Sequence, residues 1–486
     1  AATQCPDLDQ AALDNAHWLA ALQALRWSNR QGSLAPVDYR NMGPEELGSV
    51  YESLLELVPE IDLPARRFGF IGLTAAGATA GNARKLTGSY YTPEALDPVI
   101  EQRLQAHPDN PTAALLDLKV IDPACGSGHF LLAAARRLAE RLAQLRAEAQ
   151  AEGGAVKPRD YRHALREVIG RCIHGVDRNP MAIELARTAL WLEGYEEGRP
   201  LGFLDHHLQC GDALLGVLDL KSLEYGIPKE AFKPLSGDDK ALCKSLTLTN
   251  TGGLNQFKRD RERRAAGMAR GLALEGSDEL AALVALEALP EETPAQIAAK
   301  EAAYRQHLER ARTSRLRQAA DLLLGAFLLP KTGDAGAIPT SRTLYLELFS
   351  DSHDQAHQRQ RQAATAACAQ ARVFHWQLAF PQVFAQGGFD CVLGNPPWER
   401  IKLQEEEFFA TRHRDVAEAR NKAERSQRIQ WLAEGMLASH LYPELEHSPV
   451  ERQTEQGLHA EFIQARRTAE AASVFMHLKG EDGGRF

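Results

Sequence analysis

From residue 118 to residue 220 the chain alternates between short unbroken apolar runs and longer stretches whose apolar positions recur three and four apart. "KVIDPA" is of the first kind, and the Ala/Leu/Arg stretch from His129 is of the second. An apolar run of this length reads as a buried strand, and the longer period reads as an amphipathic helix. "RCIHGVDRNPMAIELARTALWLEG" repeats the pattern, predicting a strand at 172–177 and a helix from about 180. "HLQCGDALLG" predicts a third short strand ending at Gly211 and Asp212. Strands alternating with helices predict an α/β fold built on a parallel, doubly wound sheet.

The rhythm differs on either side. "LGSVYESLLELVPE" (47–60) has helical spacing, and the following Gly/Ala-rich stretch reads as one or two short strands and a loop. A helix is expected over 92–107, starting at Thr92 with Pro93 in its first turn. Residues 221–372 are rich in Ala, Arg, Glu and Gln with helical periodicity, and read as a helical insertion. The sheet rhythm resumes with a strand at 389–394. Four segments are therefore expected. They are a mostly helical 1–80, the first half of the sheet in 81–220, the insertion in 221–372, and the last strand with its following helices in 373–486.

Composition narrows this picture only a little. The chain is 44% hydrophobic and 25% charged, an ordinary globular balance. A net charge of −9 does not favour nucleic acid, although a global sum can hide a basic face. The seven cysteines lie singly with no CxxC pair, which argues for a reducing cytoplasm and against a disulfide framework or a cysteine-ligated metal. No apolar run reaches the ~18–20 residues of a membrane span, and no signal peptide is recognised at the start.

Chemistry concentrates at the strand ends. "DPACGSG" (122–128) joins a strand to a helix, and its glycines allow a ligand to approach the backbone and the free N–H groups of the helix start. A tight βα turn would need the same residues. Asp177 ends the second strand, where a carboxylate can accept from ribose hydroxyls or cap the next helix. Asp212 ends the third, where it can accept from an adenine amino group or, again, cap. In open α/β sheets ligands bind at these carboxyl ends.

The sharpest feature is "FDCVLGNPPWERI" (389–401). Proline cannot continue a ladder, and it forces the residue before it to extended geometry. Asn395, Pro396, Pro397 and Trp398 therefore form a stiff strand exit. It offers an amide oxygen, a free carbonyl at Asn395 or Pro396, and an indole face for stacking a planar base.

Taken in order, "DPACGSGHF", "HGVDRNPMAIELARTAL", "CGDAL" and "FDCVLGNPPW" resemble the gamma-group N6-adenine DNA methyltransferases. The likeness is to the large enzymes of type IIG restriction–modification and of BREX- or DISARM-type phage defence. "TGSYYTP" (87–93), "LGSVYESLLEL" and "FHWQLAFPQVF" also resemble segments of those enzymes. The resemblance implies a Rossmann-like class I methyltransferase sheet, S-adenosylmethionine as donor and double-stranded DNA as substrate, with protein partners from a defence system. It implies that Asp122, Ala124, Gly126 and Gly128 lie by the methionine moiety, covered by Tyr91, Thr92 and Pro93. Asp177 takes the ribose, Asp212 the adenine end, and Asn395, Pro396, Pro397 and Trp398 the target adenine. No metal is implied.

Other readings keep the chemistry and change the substrate to RNA or another amide or amino nitrogen, or make the chain a non-catalytic recognition subunit. Residues 399–486 are too few for the remaining strands of such a sheet and a target-recognition domain, so those parts are expected outside the chain. The first 100 residues hold only Lys85 and no nuclease signature. Basic stretches at 257–270, 305–318 and 411–428 are candidate DNA contacts, although each also carries acids.

Overall fold

The computed structural model describes residues 14–30, 33–36, 58–62, 67–71, 96–149, 156–265, 278–333, 335–350, 354–395, 403–410, 412–444 and 449–478. The chain divides into two compact units, residues 1–57 and 58–486. In the first, helix α1 (Asn15–Arg26) is capped by Asp14, whose carboxylate accepts from the His17 N–H at 3.0 Å. It leads into an antiparallel hairpin of β1 (Trp27–Arg30) and β2 (Ser33–Pro36).

The second unit opens with another antiparallel hairpin, β3 (Val58–Asp62) and β4 (Arg67–Ile71). The helical spacing read over 47–60 therefore fails at its last residues. Residues 58–60 are in β3, because pairing with β4 outweighs a local period. Pro59 is tolerated there on a two-stranded ribbon. Residues 47–57 lie outside the described residues, as do Thr92 and Pro93. The helix expected from Thr92 is seen as α2 (Asp97–Ala106), with Pro98 in its first turn.

Helix α3 (Pro111–Leu116) precedes β5 (Val120–Asp122). Then come α4 (His129–Ala149), α5 (Pro158–Arg171), β6 (Ile173–Asp177), α6 (Pro180–Glu193) and β7 (Leu208–Cys210). With β8 (Cys391–Val392) these strands form one four-stranded sheet in the order β7-β6-β5-β8, every pair parallel. The result is a mixed α/β unit of mostly helical content around a small parallel sheet.

Alternation along the strands fills both faces. Val120, Ile173 and Leu208 pack with Leu131, Leu138, Ile169 and Ile183 of the helices on one side. Ile121 and Val176 pack with Phe374, Phe380 and Val383 on the other. A parallel sheet covered on both faces needs the continuous apolar strands seen in the sequence.

Residues between β7 and β8 are helical: α7 (Lys240–Ala265), α8 (Asp278–Glu287), α9 (Pro294–Arg312), α10 (Arg315–Leu328), α11 (Ser341–Phe349) and α12 (Gln355–Ala371), with short helices α13 (Trp376–Ala379) and α14 (Pro381–Ala385). Helix α10 is buried almost all round. After β8 come α15 (Glu405–Ala410), α16 (Arg414–Ala417), α17 (Lys422–Glu434), α18 (Leu437–Leu441) and α19 (Pro449–Met476). Helix α19 returns to α10, where Phe475 meets Phe327 edge-on at 5.3 Å. Buried Arg467 pairs with Asp238 at 2.9 Å and donates to the Phe327, Leu328 and Leu329 carbonyls at the end of α10. Those orphan helix-end acceptors are what allow an arginine to be buried there. No helix among the described residues is long and apolar enough to cross a membrane.

Candidate active site

Parallel pairing puts every strand's carboxyl end on one edge. Asp122 ends β5, Asp177 ends β6, and the chain leaves β8 through Leu393, Gly394 and Asn395 beside them. The turn after β5 is held from β6: Cys125 N–H donates to the Val176 carbonyl at 3.0 Å, and Gly126 N–H donates to Asp177 Oδ2 at 2.9 Å. Gly126 and Gly128 have φ of +54° and +91°, a region that favours glycine. A Cβ on Gly128 would also sit 3.1 Å from the Ala186 methyl of α6, so the turn lies flat on that helix.

Asp177 accepts twice, since its Oδ1 also takes the Asn179 N–H at 2.7 Å. The cap of α6 is Asn179, not Asp177: its side chain accepts from Met181 N–H at 3.0 Å. Asp177 instead fastens the glycine turn to the strand beside it. Each carboxylate oxygen keeps a second acceptor site.

Asp122 is fully buried. Its Oδ1 accepts from Ala124 N–H at 3.0 Å, while Oδ2 has no hydrogen-bond partner among the described residues. Burial pushes its carboxyl up to about 7, and the nearby charge of Asp177 pushes the same way, against the Ala124 hydrogen bond. A buried acceptor left without a donor is costly, and a ligand N–H would satisfy it.

The β8 exit touches this carboxyl. A Cβ built on Gly394 would lie 2.6 Å from Asp122 Oδ1. Gly394 was not among the sequence candidates; its signal was a glycine directly before the Asn-Pro pair. Gly394→Ala is expected to cost about 1–3 kcal/mol, the usual range for overpacking a closed site. Urea unfolding checks this, and unchanged stability would contradict the close approach.

Asn395 follows Gly394 and is exposed. Asp212 lies one strand further out than Asp177, just past β7. Its Oδ1 accepts from Leu214 N–H at 3.1 Å, Arg178 stands 3.8 Å from its Oδ2, and its own N–H donates to the Arg372 carbonyl. Arg372, missed in the sequence, takes a left-handed φ of 55° and donates to the Arg178 carbonyl. Below this edge Phe374, Trp376, Phe380 and Phe389 form an aromatic layer, with Trp376 Nε1 donating to the Ala213 carbonyl at 3.0 Å. The structure thus brings Asp122, Ala124, Gly126, Gly128, Asp177 and Asn395 to one edge, with Asp212 at its flank. Tyr91, Thr92, Pro93, Pro396, Pro397 and Trp398 lie outside the described residues.

The basic stretches at 305–318 and 411–428 carry their own counter-charges. Arg305 pairs with Glu301, Arg312 with Glu309, Arg414 with Glu418 and Arg428 with Glu424 along their own helices. Such pairs describe a solvated surface.

Comparison with known proteins places this edge. The model of the Eco57I restriction-modification methylase family matches residues 171–429, more than half of the chain, from just before β6 through the helical segment and β8 into α17. The chain belongs to that family. The N-6 DNA Methylase model matches residues 76–204, which contain the glycine turn and Asp177. The membership agrees with the resemblance read from the sequence motifs.

Among curated relatives, this methylase-family chain is 23% identical over 441 residues to a protein of Methanocaldococcus jannaschii named as a type II restriction enzyme and methyltransferase, covering 78% of this chain and 32% of the relative. It is 38% identical over 109 residues to the adenine-specific methyltransferase PglX of Streptomyces coelicolor, covering 22% of this chain and 8% of the relative. The chain thus spans about a third or less of the length of these relatives. No solved structure matches it significantly.

Proposed function

We propose that this chain methylates the exocyclic N6 amino group of adenine in DNA, with S-adenosylmethionine as donor, within a restriction–modification or phage-defence system. The observation that supports the reading is the close approach of Gly394, the residue before Asn395, to Asp122 at the start of the glycine turn. Family membership supports both donor and substrate. The four-stranded parallel order is compatible with a Rossmann-like methyltransferase sheet. We read 81–220 and 373–486 as two parts of one such domain, 221–372 as an insertion into it, and 1–80 as a separate N-terminal region. A cytoplasmic site of action and double-stranded DNA as substrate follow from the same reading.

The donor's chemistry is an electrophilic methyl group on a sulfonium. The chain's own residues bind and orient. Asp122 Oδ2, buried and without a donor, suits the amine of the donor's methionine moiety. Gly126 and Gly128 let that moiety lie against the backbone, with Ala124 at its side and Tyr91, Thr92 and Pro93 as its cover. Asp177 has acceptor sites to spare for ribose hydroxyls, and Asp212 faces the adenine end.

An adenine amino nitrogen is a weak nucleophile because its lone pair is delocalised into the ring. The amide oxygen of Asn395 and the carbonyl of Asn395 or Pro396 accept its two N–H bonds. They favour a pyramidal nitrogen whose lone pair points at the methyl group. This is positioning and electrostatics, with no covalent enzyme intermediate. A base within a duplex cannot reach that corner, so it must be flipped out, and Trp398 offers the stacking face.

The test is incubation of the purified chain with methyl-labelled donor and duplex DNA, followed by mass spectrometry of the nucleosides. Label in N6-methyldeoxyadenosine is expected. Label in N4-methyldeoxycytidine, or in RNA alone, would overturn the substrate assignment.

A further inference from the structure

The opposite edge of the sheet carries a cluster that methyl transfer does not use. His206 and His207 immediately precede β7, and His174 is the second residue of β6. All three are buried. The His174 and His207 rings stack at 4.2 Å, and His206 lies 4.2 Å from His207 at a tilt. One ring nitrogen from each of His206 and His207 and a carboxylate oxygen of Glu287, at the end of α8, lie within 4.8 Å of one another.

Two details distinguish this cluster from plain packing. His207 Nδ1 is 3.0 Å from the Ile173 carbonyl, which fixes that nitrogen as the donor and leaves Nε2 with its lone pair. Metal-bound histidines are commonly oriented by such a hydrogen bond to a carbonyl. His206 Nδ1 is buried with no hydrogen-bond partner among the described residues, although the ring sits flat against Phe203 and near Tyr304. Lys300, a buried cation on α9, is already paired with Glu291 at 2.7 Å.

We propose that His206, His207 and Glu287 bind one divalent transition ion of the zinc class, which clasps helix α8 to the amino edge of the sheet. Two imidazoles and a carboxylate are an accepted zinc donor set. Ligands on a tetrahedral zinc stand about 3.3 Å apart, so the three must draw in slightly. Glu287 is exposed at its helix end and can do so. The role is structural. It ties the 221–372 segment to the sheet at the edge away from Asp122 and Asn395.

The experiment is a zinc titration of the untagged, chelator-stripped chain against a chromophoric chelator, in a Cys210→Ser background so that the thiol exposed among the described residues is not a ligand. Expected are one zinc per chain and a higher thermal midpoint with zinc. Glu287→Gln, at an exposed position that leaves folding intact, should weaken binding about tenfold or more and abolish the thermal shift. His207→Gln should lose binding as well. No stoichiometric binding, or binding unchanged by Glu287→Gln, overturns the proposal and leaves a stack of neutral imidazoles. Methyl transfer is not a readout here, so this result stands apart from that reading.

Discussion

Asn395→Ala is expected to slow methyl transfer about a hundredfold or more while leaving donor binding nearly unchanged. The side chain lies past β8, exposed, on the edge where Asp122 and Asp177 end their strands. Its amide oxygen is one of the two acceptors assigned to the nucleophile's N–H bonds. Removing one preorganised group from a polar transition-state cradle costs about a hundredfold to a thousandfold in rate. The contacts assigned to the donor come from Asp122, the glycine turn, Asp177 and Asp212, and Asn395 is assigned to the target base instead. Single-turnover transfer of a labelled methyl group, alongside calorimetric donor titration, separates the two effects. Retained turnover, or equal loss of binding and rate, would reject the role assigned to Asn395.

The second large effect is a pH dependence set by Asp122. Its carboxyl is raised from an ordinary 3.8 to about 7 in the folded chain, chiefly by burial. The folded form therefore holds this proton more tightly than the unfolded form. The resulting stabilisation is complete below the unfolded value, declines as pH rises, and is gone above about 7. Between pH 5 and pH 7.5 this one group should remove on the order of 2–3 kcal/mol from the unfolding free energy. Carboxyls held low by their partners, such as Asp97 beside Arg137, lose their contribution only at more acid pH, whereas buried His174, His206 and His207, held low by burial, gain stability as pH rises through this window, so the test is the difference between two chains. Asp122→Asn keeps the shape without the titration, so the stability of the original chain relative to this variant in urea unfolding should fall by about that amount over the window, whatever the buried histidines add to both. Parallel pH profiles for the two chains would show that Asp122 is ionised throughout.

Both predictions rest on features legible in the sequence to different degrees. The runs ending at Asp122 and Asp177 read as strands because a buried parallel sheet demands unbroken apolar residues, and they are strands. The helix from His129 and the helix after Asn179 were equally plain. The purpose of Asp177 was not, because its tie to the Gly126 N–H depends on two strands being neighbours. Gly394 was passed over for a similar reason: only the parallel pairing of β8 with β5 brings it against Asp122. Residues 58–60 follow a helical period yet pair as a strand, since β4 offers them hydrogen bonds that a local pattern cannot foretell. Arg467 lies in one of the helices that follow β8, with nothing in the sequence to mark it. Its burial becomes legible only once α10 presents its carbonyl end and Asp238 its charge.

The central claim is that the exit after β8 faces a bound methyl donor across the carboxyl edge of one sheet. A crystal structure of the chain with S-adenosylhomocysteine tests it most directly. Expected are the ligand's amine within hydrogen-bond distance of Asp122 Oδ2, its ribose on Asp177, and its sulfur facing Asn395 across a gap the width of a base. A ligand seated elsewhere, or an Asn395 side chain turned away with that gap closed, would contradict the claim.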